Sequence, residues 1–219
     1  MLSLIVNEIM RGKSLGRALT LEQCMGLKIS GKGVDLGGGK GSASYFRYFE
    51  QDESVRIIHT DLEPSEGVQP IDLSRPFTLP KNSQDFLLLM NVLEHLYDYR
   101  LCLSECHRVL NEGGRLIGVV PFFQKVHPSP DDHFRYTEST LTRVFQEVGF
   151  KRVKITPLGY GPFTVAASQV APLLKLRVLI VILTLSAIGI DKLMSLVFPN
   201  HPRVRPDHFP LAYFFVSEK

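Results

Sequence analysis

The chain has 219 residues, 44% of them hydrophobic and 21% charged, with a formal net charge of +3 at pH 7. That length suits one α/β domain with modest insertions, and no low-complexity tract interrupts it. So small a charge, with no dense Lys/Arg stripe and no aromatics interleaved with basic residues, gives no argument for a nucleic-acid groove and leaves nucleic acid out of the expected partners.

Three cysteines, an odd number, argue against a disulfide framework and fit a reducing, cytoplasmic setting. The first thirty residues read as helical, with a loop near Gly26. The apolar opening Met1–Val6 is interrupted by Asn7 and Glu8, and its basic residues come after it, so it reads as a short helix and not as a signal peptide. Gly33–Leu36 is a short buried strand running into the glycine cluster Gly37–Gly41, and Ser42–Phe49 is expected to start a helix. Val55–Thr60 is a second strand with Asp61 at its end; Pro64, Gly67 and Pro70 mark the loop beyond it. Phe86–Met90 is a continuous apolar run, the signature of a central parallel strand buried on both faces. A helix carrying Leu101, Leu103, Val109 and Leu110 is expected to stop at Gly113–Gly114. Arg115–Val120 is a strand closed by Pro121, Glu138–Val148 a helix capped by Gly149, Val153–Thr156 a strand, and Leu211–Val216 the last strand.

Strands and helices alternate, which predicts a Rossmann-like, doubly wound α/β fold: a mostly parallel sheet with helices on both faces. Residues 1–219 read as one domain. Residues 1–30 form its helical opening, and 158–208 form an insertion before the last strand, carrying a hydrophobic helix at 173–198.

A glycine-rich turn after the first strand lets the backbone approach a ligand, because glycine has no Cβ to collide. The spacing Gly37-x-Gly39-x-Gly41 differs from the dinucleotide pattern G-x-G-x-x-G. It also fails the phosphate-loop pattern, since Lys40 is followed by Gly41. Asp61 ends the next strand, where a carboxylate accepts hydrogen bonds from ribose hydroxyls in doubly wound folds. Asp72 lies in the following segment, before the third crossover, and Asn91–His95 lies at the ligand-binding end of the buried strand.

On these residues the chain resembles the class I S-adenosylmethionine-dependent methyltransferases. Val34–Gly41 looks like their first motif, Asn82–His95 is similar to the segment of their fourth strand, and Asn111–Leu116 resembles their turn into the fifth. The match runs from about Gly33 to Phe150. The resemblance implies S-adenosylmethionine as cofactor and carries its usual contacts to Asp35, Gly37, Gly39, Asp61, Leu62, Asp72 and Asn91. Gly38 departs from the family pattern, where a larger residue is common; the departure is expected to be tolerated but to loosen the turn.

The sulfonium methyl is already activated, so the protein has to hold an acceptor in line with the S–CH₃ bond and exclude water. Oxygen acceptors of high pKa also need a base. His95 sits where one can reach, and the block His127–Tyr136 follows the fifth strand, where acceptor loops project; His133 and His95 are the candidate catalytic bases. His127, Asp131, Asp132 and His133 also suit several divalent ions, but they lack a diagnostic spacing and no metal is expected. Cys102 and Cys106 share a helix face at i, i+4 and read as packing.

Pro172 and Pro199 bracket a helix of roughly 25 residues, about 38 Å long, apolar on every side of its middle. Its uncharged run Val178–Ile190 is too short for a bilayer, which needs roughly 20 apolar residues. It is expected to pack internally, in a homodimer, as a lid, or shallowly in a membrane surface. Gly159 and Gly161 read as a turn ahead of Pro162, or as a hinge. The expected activity is methyl transfer from S-adenosylmethionine, to an oxygen of a small-molecule, glycan or lipid-linked acceptor. The rival readings are a nicotinamide-dependent oxidoreductase and an inactive cofactor-binding scaffold.

Overall fold

In the computed structural model, which describes residues 1–39, 43–63, 65–199, 201–202 and 204–219, the chain opens with two helices, α1 (Leu2–Met10) and α2 (Leu15–Cys24). The break falls at Gly12, whose φ of +83° leaves the helical region, and Ser14 restarts the helix by accepting the Arg17 N–H. The strands follow as β1 (Lys28–Ile29), β2 (Lys32–Asp35), β3 (Glu50–Gln51), β4 (Arg56–Asp61), β5 (Val68–Pro70), β6 (Gln84–Met90), β7 (Leu110–Pro121), β8 (Lys151–Leu158) and β9 (Ala212–Glu218). The later helices are α3 (Tyr99–Val109), α4 (Glu138–Val148), α5 (Pro162–Val170) and α6 (Arg177–Val197).

Seven strands form one sheet in the order β5-β4-β2-β6-β7-β9-β8. Its first five members are parallel, and β9 runs antiparallel between β7 and β8. From β2 the chain moves outward to β4 and β5, then crosses back to β6. That reversal is the switch point of a doubly wound sheet, where ligands bind beyond the carboxyl ends of the strands.

Side chains alternate across a strand, and β6 makes the consequence visible. Phe86, Leu88 and Met90 join α1, α2 and Ile188 of α6 in one core, whereas Leu87 and Leu89 join α3 and α4 in the other. The apolar run is continuous because both faces are covered. Two caps place the second layer: Asp98 accepts the Leu101 N–H at the start of α3, and Thr137 accepts the Thr140 N–H at the start of α4. Gly149 ends α4 at φ +109°, as expected of a left-handed C-cap.

Several expectations are corrected. Ser42 lies outside the described residues, and the rest of the proposed Ser42–Phe49 helix is only a single 3₁₀ turn, Phe46–Tyr48. Tyr45 and Phe49 are drawn into the core there, and tertiary burial overrides helix propensity. Helix α3 stops at Val109, not at the glycines, because the fully buried Leu110 already pairs with Gln84 as the start of β7. Gly113, at φ +75°, then kinks the strand near where its register with β6 shifts.

The insertion is also different in detail. A 3₁₀ turn at Ala171–Leu173 separates α5 from α6, and α6 has 21 residues. At 1.5 Å per residue it is about 31 Å long, comparable with the roughly 30 Å hydrocarbon core of a bilayer. Its best window has a mean hydropathy of 2.0, so length does not exclude a membrane span as the sequence suggested. Nor is α6 uniform around its axis. Thr184, Ala187, Ile188 and Asp191 form a buried stripe, whereas Val178, Leu179, Ile182, Leu193, Leu196 and Val197 are exposed. The Asp191 carboxylate anchors the stripe by accepting the Phe163 N–H at 3.1 Å, the Thr164 N–H at 2.7 Å and the Thr164 hydroxyl. Gly161 permits that approach, since a Cβ there would lie 2.6 Å from Asp191 Oδ1.

Candidate functional site

Strand β2 delivers Asp35 to the switch point, and the chain then turns sharply through Gly37 and Gly39, whose φ values are +69° and +64°. Glycine is suited to such left-handed positions. Threonine 60 holds the turn: its hydroxyl donates to the Asp35 carbonyl at 3.0 Å, and its carbonyl accepts the Gly39 N–H at 3.3 Å. Residues 40–42 lie outside the described residues, so the third glycine of the cluster, Gly41, is not placed.

Asp35 lies wholly beneath this turn. Its Oδ1 accepts the Tyr45 hydroxyl at 2.6 Å, and its Oδ2, without a hydrogen bond among the described residues, lies 3.5 Å from His59 Nδ1. Burial raises the Asp35 carboxyl above the usual carboxylate range, against the pull of Tyr45 and His59. Gly38 covers it, and a Cβ at Gly38 would fall 1.7 Å from Asp35 Oδ2. The missing side chain at Gly38 is therefore required here, not merely tolerated.

Asp61 ends β4 with one carboxylate oxygen, Oδ1, held at 2.7 Å by the N–H of the exposed Leu62. Its Oδ2 faces the turn, 3.3 Å from where a Cβ of Gly39 would stand. Ile71 donates its N–H to the Asp61 carbonyl at 2.9 Å, bringing Asp72 to the same end of the sheet. The Asp72 side chain closes its own turn, accepting from Ser74 N–H at 2.9 Å and pairing with Arg75 at 3.1 Å. Asn91 follows β6 in the left-handed region at φ +57°, with its N–H bonded to Val119 at 2.9 Å. Glycine turn, Asp61, Asp72 and Asn91 thus line up along the carboxyl edge of β2, β4, β5 and β6.

The other half of the site forms where the loop after β7 folds back over the end of β6. The His133 and Phe134 N–H groups donate to the Glu94 carbonyl at 2.8 and 3.3 Å, and the Tyr136 hydroxyl donates to the Leu93 carbonyl at 3.1 Å. Arg135 grips Asp132 by both nitrogens, at 2.5 and 2.8 Å, and this pairing holds the Asp132 carboxyl far below its ordinary range. Arg135 and Tyr136 therefore anchor the loop.

The two candidate bases separate. His133 is exposed and packs its ring on Tyr97, with centroids 5.5 Å apart. His95 turns inward beside Glu94, its Nε2 3.7 Å from Glu94 Oε1. His127 stands on the other side, its Nε2 3.8 Å from the same oxygen. Glu94 is fully buried, and among the described residues neither carboxylate oxygen has a hydrogen-bond donor. Burial pushes its carboxyl up to about 8. Sequence reading passes over Glu94 and weighs His127 only with Asp131, Asp132 and His133; of these Asp132 does reach His127, 3.2 Å from its Nδ1, but is held by Arg135, and the His133 ring lies apart against Tyr97. The one available signal for Glu94 is its place beside His95 at the end of a buried strand.

Residues 34–118 match the family described as the methyltransferase domain. No curated protein is similar to the chain in sequence. Solved structures share its fold. A Haemonchus contortus phosphoethanolamine N-methyltransferase 2, solved with S-adenosyl-L-methionine, is 14% identical at a TM-score of 0.55 over 93% of this chain and 52% of that one. The chain thus spans about half the length of that enzyme. A SAM-dependent methyltransferase from Thermotoga maritima is 15% identical, covers each chain completely and gives a TM-score of 0.56. One from Archaeoglobus fulgidus is 17% identical over 100% of this chain and 95% of that one, with a TM-score of 0.54.

Proposed function

We propose that the chain, whose residues 34–118 match the methyltransferase domain family, is a class I methyltransferase that takes its methyl group from S-adenosylmethionine and methylates an oxygen of a lipid-linked acceptor at a membrane surface. Asp61 receives the ribose hydroxyls, Gly37 and Gly39 admit the cofactor to the backbone, and Leu62, Asp72 and Asn91 border it. Asp35 acts from below, fixing the turn through Tyr45. The glycine turn fits such a ligand because a side chain at Gly39 would fill the space in front of Asp61.

In the reaction, a lone pair of the acceptor oxygen forms the new C–O bond as the S–CH₃ bond breaks. The bonding pair stays on sulfur, giving S-adenosylhomocysteine, and the hydroxyl proton leaves. Holding the oxygen in line is the protein's main contribution. Removing the proton is assigned to the group around Glu94, with His95 in it; His133 shapes the rim with Tyr97.

The observation that carries the lipid-linked reading is the outer face of α6. Leu193 is 58% and Leu196 79% exposed, with Val178, Leu179, Ile182 and Val197 beside them. Each large aliphatic side chain gains roughly 1.5–3 kcal/mol on full burial, so water is a poor partner for this face. The charges agree with an anionic lipid surface. Along α1, α6 and the linkers beside them, Lys13, Lys175, Arg177 and Lys192 are exposed, whereas the acidic Glu8, paired with Arg11 at 2.8 Å, and Asp191 are buried. Asp191 ties α6 to α5, which supports a helix lying on the surface over one that spans it.

The test is transfer of labelled methyl from S-adenosylmethionine to a membrane lipid extract presented in anionic vesicles. The reading expects label in the lipid phase, on oxygen in the isolated product. Label confined to water-soluble acceptors, or found on nitrogen, overturns it. A dimer in detergent-free buffer that ignores vesicles would assign the face to a second copy.

A further inference from the structure

We propose that Glu94, His95 and His127 form a binding site for a divalent transition-metal cation, with zinc as the ion best suited to the donors. Their ligand atoms all lie within 4.8 Å of one another. A cation roughly 2.0–2.2 Å from each of three such ligands spaces them about 3.3–3.6 Å apart in tetrahedral geometry. The Glu94 Oε1 distances to His95 and His127 Nε2, 3.7 and 3.8 Å, are within a few tenths of that.

The far side of each ring fixes the chemistry of the near side. His95 Nδ1 lies 2.6 Å from the Asp131 carbonyl. A carbonyl only accepts, so Nδ1 carries the proton and Nε2 presents its lone pair to Glu94. His127 Nδ1 lies 3.1 Å from the Lys125 carbonyl and 3.2 Å from Asp132 Oδ2, with the same result. Metal-bound imidazoles are oriented in this way, through the other ring N–H to a carbonyl or carboxylate. Asp132 is already committed to Arg135, which leaves it in that supporting role.

A second observation points to the same ligand. Glu94 is fully buried, and neither of its oxygens meets a donor among the described residues. Buried carboxylates are ordinarily paired or coordinated to a metal. Two imidazole nitrogens and a buried carboxylate oxygen thus converge on one point, where a cation is attracted to all three. Two histidines and one glutamate leave a fourth position open, as in catalytic zinc sites. The consequence for activity rests on the methyltransferase reading above: an acceptor hydroxyl in that position gives up its proton to water more readily, as metal-bound water does, so the group around Glu94 would promote proton loss through the bound ion and not as a base itself.

The test uses the full-length protein stripped with a chelator. Zinc is titrated against a chromophoric competitor, and cobalt is added separately to read the ligand-field bands of the bound ion. S-adenosylhomocysteine affinity is measured in parallel. Wild type is expected to take up one equivalent and to show four-coordinate cobalt bands. Glu94→Gln and His127→Ala are expected to lower zinc affinity by at least about 10–100-fold, the loss produced even by removing a supporting partner, while still binding S-adenosylhomocysteine. Should a variant fail to fold, the wild-type cobalt spectrum still decides. Wild type that binds S-adenosylhomocysteine but no zinc or cobalt, or variants that bind zinc as wild type does, would overturn the cation site and leave the methyltransferase reading standing. Zinc bound without any affinity for S-adenosylhomocysteine would do the reverse.

Discussion

Gly39 and Asp61 meet at the carboxyl ends of β2 and β4, so closely that a Cβ on Gly39 would lie 3.3 Å from Asp61 Oδ2. The other Asp61 oxygen is held by the Leu62 N–H at 2.7 Å, which leaves Oδ2 for a ligand. Replacing Asp61 by Ala is expected to weaken S-adenosylhomocysteine binding by about 1.5–3 kcal/mol, the range for hydrogen bonds to a charged group. Calorimetry measures it. Asp61 is half-buried at the sheet's edge, so the melting temperature should barely move.

Gly38 makes the opposite prediction. A Cβ there would meet the buried Asp35 carboxylate at 1.7 Å, so the turn or the carboxylate has to shift. Gly38→Ala should destabilise the fold by about 1–3 kcal/mol, as overpacking does, and weaken cofactor binding with it. Denaturant unfolding of the variant beside wild type tests this; equal midpoints would show that the turn is looser than described.

These two neighbours also mark how far the sequence is legible. Asp61 ends β4, Gly37 and Asn91 follow the ends of β2 and β6, and in a doubly wound sheet ligands bind beyond those carboxyl ends. Their order along the chain therefore makes the proposed cofactor side of the site legible. Gly38 does not announce itself, because the need for glycine comes from Asp35 being roofed over by the backbone. Glu94 is hidden for a related reason. Its burial depends on a loop some forty residues later in the chain, whose His133 N–H reaches back to the Glu94 carbonyl at 2.8 Å. The 3₁₀ turn at Phe46–Tyr48 and the early end of α3 escape pattern reading because side-chain burial, not local propensity, decides both.

Glu105 gives a pH prediction away from the site. Hydrogen bonds from Arg108, joined by the Phe77 N–H at 2.6 Å, hold its carboxyl below the ordinary value of 4.5 against the cost of burial. A carboxyl depressed in the folded state adds stability that is fully present above its unfolded pKa and is lost as pH falls through the folded one. Wild type should therefore lose stability as the pH drops below about 4.5, and Glu105→Gln should remove part of that slope. At neutral pH the variant should be about 1.5–3 kcal/mol less stable. Unfolding curves at several pH values read both effects.

The outer face of α6 is tested by charge. Leu193 and Leu196 are exposed and contribute little to the core, so Leu193→Glu with Leu196→Glu should leave the melting temperature and S-adenosylhomocysteine affinity nearly unchanged. Flotation with anionic vesicles should fall sharply, since the change removes apolar contact and adds repulsion. Undiminished flotation would mean that another surface meets the lipid.

The most direct measurement is calorimetric titration of the wild-type protein with S-adenosylhomocysteine and, separately, with NAD. The account predicts saturable binding of S-adenosylhomocysteine that weakens in Asp61→Ala, and no binding of NAD. Tight NAD binding with no response to S-adenosylhomocysteine would contradict it.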